Sequence, residues 1–160
     1  MTERILEILT ALEQPGQPGV TFTALDRLTQ SLVGHQLFTL LTVDGDEVAR
    51  VYSNRPAEYP VSGRKPMGKT PWGDLVLKTC KPYLGRDMEG IRWAFFDHAL
   101  IESMGLGSVI NIPVVYDGAC VGTMNLLDAE HHYRPEHVAP VAALAPLLIP
   151  AFQEARRRGA

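Results

Sequence analysis

Apolar residues recur at Ile5, Leu6, Ile8, Leu9 and Leu12, a spacing that lines one face of a helix over residues 3–13. Gln14-Pro15-Gly16-Gln17-Pro18-Gly19 ends that helix, because proline and glycine interrupt its hydrogen bonding. A second helix is expected from about residue 23 to 33, with Leu25, Leu28 and Leu32 on one side and Gly34 as its stop. Residues 37–43 read as a buried strand. Gly45 lies in the turn after it, and residues 47–53 read as the next strand.

Residues 54–71 break the pattern. They hold Pro56, Pro60, Pro66, Pro71, Gly63 and Gly68, and read as a long loop of the kind that is commonly functional or disordered. Helical spacing resumes over 72–80 through Leu75, Val76 and Thr79. Tyr83-Leu84 reads as a short extended piece, and residues 91–104 as a further helix rich in aromatics. Two apolar runs follow, at 107–116 and 119–128, joined by Asp117-Gly118. That dipeptide tolerates the positive backbone angles of a two-residue hairpin. A final helix is expected over residues 135–157. Pro140 is harmless if it falls in the first turn, whereas Pro146 and Pro150 should kink or divide the helix.

This order predicts an α+β fold: a central antiparallel sheet with the first helices and the last on one face. The insertion over residues 54–104 is too long to cross a sheet edge directly, so it is expected to cover the other face. An aromatic-bearing insertion over a sheet encloses a concave pocket.

Composition narrows the function classes. The 160 residues, 46% hydrophobic and 21% charged, fit one globular domain. A net charge of −3 and no basic stripe argue against nucleic acid. Arg156-Arg157-Arg158 is expected to complement a helix C-terminus or to be solvated. Cys80 and Cys120 do not make a disulfide framework. With no apolar signal core and no run near the roughly 18 residues of a membrane span, a cytoplasmic protein with reduced thiols is expected.

The segment from Gly105-Leu106-Gly107-Ser108 to Asp128 resembles the end of a GAF domain, through Pro113, Asp117-Gly118 and Val121-Gly122. The hairpin order upstream agrees over nearly the whole chain. The resemblance implies a PAS-related sheet that binds a small molecule and reports its presence. Specialised branches fit less well. Members that reduce free methionine sulfoxide carry cysteines ahead of the third strand, where this chain has none between Cys80 and Cys120. Bilin-binding members place a Cys-His pair where this chain reads Phe96-Asp97-His98, and no Asn-Lys-Phe-Asp type motif of the cyclic-nucleotide binders is found. Gly122 is expected to let a neighbour approach its strand closely, and Pro113 to sit at an edge or bulge.

Candidate pocket residues are Tyr52, Trp72, Trp93, Phe95, Phe96, Asp97, His98, Asn111 and Asn125. Aromatics wall a pocket while a few polar groups orient a ligand. The competing reading is that the aromatics only pack the insertion onto the sheet. No catalytic residue, metal or cofactor is assigned. Asp128, Glu130, His131, His132, Glu136 and His137 are metal-capable, but read as a polar strand-to-helix connection. The leading expectation is a stand-alone sensory domain for an unidentified small molecule, acting through a protein partner or as a homodimer. A dimer seam would run through Ile5, Leu9, Leu12, Leu148 and Phe152, unless these form an ordinary core layer. The alternatives are a sulfoxide reductase with atypical cysteines and a ligand-free interaction module.

Overall fold

Six antiparallel strands, in the order β3-β2-β1-β6-β5-β4, form one sheet between two unlike layers. The structure is a computed structural model and describes residues 2–160. Two helices come first, α1 (Thr2–Glu13) and α2 (Gly19–Leu32). The strands β1 (Leu37–Asp44) and β2 (Glu47–Ser53) follow, and then the two-residue β3 (Lys65–Pro66). The insertion continues with α3 (Pro71–Gly73), a π-helical turn (Asp74–Lys78), β4 (Tyr83–Gly85), α4 (Met88–Ala94) and α5 (His98–Ser103). The long hairpin β5 (Ser108–Tyr116) and β6 (Ala119–Asp128) leads to α6 (Val138–Ala142) and α7 (Ile149–Arg157).

Both predicted hairpins form. At the β5–β6 turn, Asp117 and Gly118 have φ of +53° and +78°, the pair of left-handed residues a two-residue loop needs. Two departures from the expected elements stand out, a strand in the 54–71 loop and a split in the 91–104 helix. The residue 54–71 loop contributes β3, while the expected extended piece at Tyr83-Leu84 is an edge strand, Tyr83–Gly85, on β5. The single helix expected over 91–104 is two helices. The first is capped by the Asp87 carboxylate accepting from the Gly90 N–H at 3.1 Å, and the chain turns extended at Phe95 (φ −131°, ψ 128°). The last helix is divided, as Pro146 and Pro150 lead one to expect, by a 41° bend between residues 135–142 and 145–157. Pro146 and Pro150 each sit in the first turn of a new segment, where the missing N–H leaves no bond unmade.

Alternation along the strands sorts the core. Phe38, Leu40, Ile110, Ile112, Val114, Met124 and Leu126 face the helices, packing on Ile8, Leu25, Val141, Leu148 and Phe152. Leu148 and Phe152 are fully buried in this layer, so they are not available to a dimer seam; Leu9, 43% exposed, remains at the surface of α1. No single helix among the described residues is long and apolar enough to cross a membrane.

Of the chain's glycines among the described residues, Gly122 is the most closely approached. A Cβ there would stand 2.3 Å from the Leu41 carbonyl oxygen and 2.4 Å from Cε2 of Phe152. The Phe152 ring thus occupies the space a side chain on β6 would take. Pro113 pairs with Thr123 of β6, while β4 accompanies β5 only as far as Asn111, so one side of β5 has no ladder partner there. Gly122→Ala is expected to destabilise the fold by about 3 kcal/mol in urea unfolding, as an overpacked core position does. Adding Phe152→Leu should restore part of the loss, because the Leu41 carbonyl cannot yield as a side chain can.

Candidate functional site

On the opposite face of the sheet the insertion packs in two smaller clusters, one around Ile91, Ile101 and Val109 and one around Val43, Val48 and Val76, which leave part of that face uncovered. Between it and the insertion lies a cavity of about 710 Å³. Its floor comes from alternate positions of the central strands: Leu37, Thr39 and Leu41 on β1, Asn125 and Leu127 on β6, and Asn111 on β5. Its walls are Trp72, Trp93, Phe95 and Phe96 of the insertion, with Tyr59 and residues 65–68 of the preceding loop. The volume is in the range of sites for drug-sized molecules.

A line of hydrogen bonds crosses the floor. Trp72 Nε1–H donates to Asn111 Oδ1 at 2.9 Å, and Asn111 Nδ2 donates to Asn125 Oδ1 at 2.8 Å. Asn125 Nδ2 then lies 3.3 Å from both the Thr39 carbonyl and Oγ1. Asn111 and Asn125 sit directly opposite each other in the β5–β6 register, which aligns their amides. Buried amides need such partners. The chain also anchors the insertion, because Trp72 arrives from α3, whose N-cap Thr70 accepts from the Gly73 N–H at 2.9 Å.

A second polar group spans the loop and the insertion. The Tyr59 hydroxyl donates to Asp97 Oδ2 at 2.5 Å. Burial, then this bond, pushes the Tyr59 hydroxyl above its ordinary pKa, so it remains a donor at neutral pH. The Arg50 guanidinium lies over the Tyr59 ring at 5.0 Å and donates to the Pro60 carbonyl at 3.0 Å.

Seven of the nine expected pocket residues line this cavity: Trp72, Trp93, Phe95, Phe96, Asp97, Asn111 and Asn125. Trp93 stacks on Tyr83 at 5.1 Å, Phe95 tilts on Trp72 at 5.7 Å, and Phe96 stands at the edge, 98% exposed. The other two lie elsewhere. His98 opens α5 outside the lining. Tyr52 is on the helical face, where its hydroxyl donates to Asp26 Oδ2 at 2.5 Å and its ring meets Phe22 and Phe38. The cause is a β-bulge. Leu40 pairs with Tyr52 but Leu41 pairs with Arg50, so Val51 is an extra residue and alternation in β2 reverses across it. The same bulge directs Arg50 into the pocket.

Sequence reasoning missed Arg50, Tyr59 and Thr39. Tyr59 had one available signal, as the lone aromatic inside a proline-rich loop. The metal-capable side chains after β6 have structural partners: Glu130 accepts from the Met88 N–H at 2.9 Å, and a His132 ring nitrogen lies 2.9 Å from the Val33 carbonyl. Among the described residues no three such side chains stand together as a metal site would require. Neither cysteine lines the cavity. Burial pushes the Cys120 thiol up to about 11, and the thiol donates to the Gly122 carbonyl at 3.2 Å.

The fold and pocket can be set beside known proteins. The sequence model of the GAF domain matches residues 20–153. No functionally curated protein matches significantly. Among solved structures, the GAF domain of a phosphoenolpyruvate-protein phosphotransferase from Coxiella burnetii is similar at TM-score 0.77 and 17% identity, covering 99% of this chain and 95% of that one. The corresponding GAF domain from Acinetobacter gives TM-score 0.74 at 10% identity, covering 99% and 96%. The GAF domain of a two-component sensor histidine kinase from Bacillus halodurans gives 0.68 at 12% identity, covering 87% and 95%. At these identities the likeness concerns the fold, and the match of the family's sequence model over most of the chain adds the ancestry: this chain belongs to the GAF domain family.

Proposed function

We propose that this protein is a sensory domain that takes a small molecule between its sheet and its 71–104 insertion, in the cytoplasm. The carrying observation is the cavity of about 710 Å³, which the protein's own aromatics wall but do not fill. A self-filled interaction module would bring those rings together over the floor. Membership of a family of small-molecule-binding signalling domains supports the same reading. The loop before the insertion contributes Tyr59 and residues 65–68 to the wall, so an occupant touches it directly. Occupancy then shifts the loop's conformational population and alters a surface read by a protein partner or a second copy.

The reductase alternative has less support, because its thiols lie outside the pocket and Cys120 is held protonated. Iodoacetamide should therefore alkylate Cys120 slowly at pH 7, with a rate that climbs towards pH 11. Rapid labelling at neutral pH would return the thiol chemistry to consideration.

Thermal unfolding tests the ligand reading. Amino acids, nucleotides, purines and aromatic acids are screened singly. A ligand at a hundred times its Kd adds about 2.7 kcal/mol of stability, or roughly 5–10 °C for a domain of this size. At least one class should produce such a shift. Leu41→Trp, which fills the cavity from its floor, should abolish the shift while the variant still unfolds cooperatively. No shift with any class would contradict the proposal.

A further inference from the structure

The pocket's floor is polar yet internally satisfied. Trp72, Asn111, Asn125 and Thr39 bond one another, so an incoming ligand gains little by competing for them. The ionic groups of the lining do not balance in the same way. Arg50, Lys65 and Arg92 face a single carboxylate, Asp97. Asp97 already receives the Tyr59 hydroxyl. Arg92 has Glu102 at 3.6 Å across a solvent-exposed contact, and Lys65 is exposed. Arg50 is different. It is half-buried, and no carboxylate among the described residues lies within 4.0 Å of it.

A guanidinium presents five N–H donors in a planar fork. Here one terminal nitrogen is held by the Pro60 carbonyl at 3.0 Å, and the group is laid against the Tyr59 ring. The cation is thereby oriented but not neutralised. Burial favours its deprotonation, while Tyr59 and Asp97 oppose that, and an arginine stays charged at neutral pH regardless. A half-buried, oriented fork with no carboxylate in contact matches the two oxygens of one carboxylate. The walls beside it, Trp72, Trp93 and Phe95, offer ring faces and edges to a flat apolar body.

We propose that the ligand is an aromatic carboxylate, its ring between Trp72, Trp93 and Phe95 and its carboxylate on the Arg50 guanidinium. This rests on the reading of the cavity as a ligand site, and it specifies the chemistry that site selects. Charge and planarity are both required. A neutral ring leaves Arg50 without an anion, and a small anion leaves the aromatic walls uncovered. A nucleoside phosphate would carry a dianion to a pocket whose other two cations, Lys65 and Arg92, are solvent-exposed.

Calorimetric titration of the full chain decides the matter. The probes are benzoate, 2-naphthoate and indole-3-acetate, each beside its neutral primary amide, with AMP as a competing anion. At least one acid should bind about tenfold or more tightly than its amide, the worth of a charge-assisted pair. In Arg50→Gln that ratio should fall to near one. Arg50→Lys keeps the charge without the fork and should retain an intermediate ratio. It also decides the question if Arg50→Gln proves unfolded in a thermal scan. Amides that bind as tightly as their acids, a ratio that survives in Arg50→Gln, or AMP binding more tightly than every acid would overturn the carboxylate assignment and leave the ligand pocket standing. Binding by no member of any pair would overturn the carboxylate assignment, and the ligand pocket falls with it only if no class of compound shifts the thermal unfolding either.

Discussion

Opposite Leu40 and Leu41, β2 carries one residue more than its partner strand, and the two faces of the sheet are assigned by that excess. Strands alternate their side chains with a period of two, so Arg50 and Tyr52 would share a face in a regular β2. With Val51 inserted, Tyr52 goes to the helical layer, where its hydroxyl reaches Asp26 of α2. Arg50 goes to the cavity, where it meets Tyr59 from the loop. A slip that removed the bulge would place a cation in an apolar core or a tyrosine where the charge belongs. Either outcome is costly, which makes the register strongly specified.

The two layers then do different work. On the helical side, packing is continuous to the point where Gly122 must lack a Cβ for Phe152 to fit. On the other side the insertion is held by two smaller apolar clusters, one around Ile91, Ile101 and Val109 and one around Val43, Val48 and Val76, with the directional bonds of Trp72 to Asn111 and Tyr59 to Asp97 beside them. Such an arrangement keeps the walls in place and leaves space between them.

Much of this was legible in the chain. The Asp117-Gly118 turn, the close approach at Gly122 and the division of the last helix follow from backbone rules that tertiary context seldom overrides. The aromatic wall of the pocket was legible because Trp72, Trp93, Phe95 and Phe96 cluster in one insertion. What escaped depends on long-range pairing. A bulge is invisible in one strand read alone, so Tyr52 was placed on the wrong face and Arg50 was not singled out. Tyr59 sits in a loop without periodicity, and its role exists only once Asp97 is beside it. The break between α4 and α5 falls inside an apolar stretch where helical spacing continues across Phe95, and only the backbone turn shows it. His98 shares that break and points elsewhere than its neighbour Asp97 for the same reason.

The central claim is that an occupant enters between sheet and insertion and is felt there first. The most direct measurement is a nitrogen–proton NMR titration of the labelled protein with each class of compound from the thermal screen in turn, following the side-chain N–H signals. The account predicts that the indole signals of Trp72 and Trp93 and the amide signals of Asn111 and Asn125 shift together, with backbone signals of α1 and α7 almost unmoved. Shifts confined to the exposed face of α1, or the absence of any shift at saturating concentration, would contradict it.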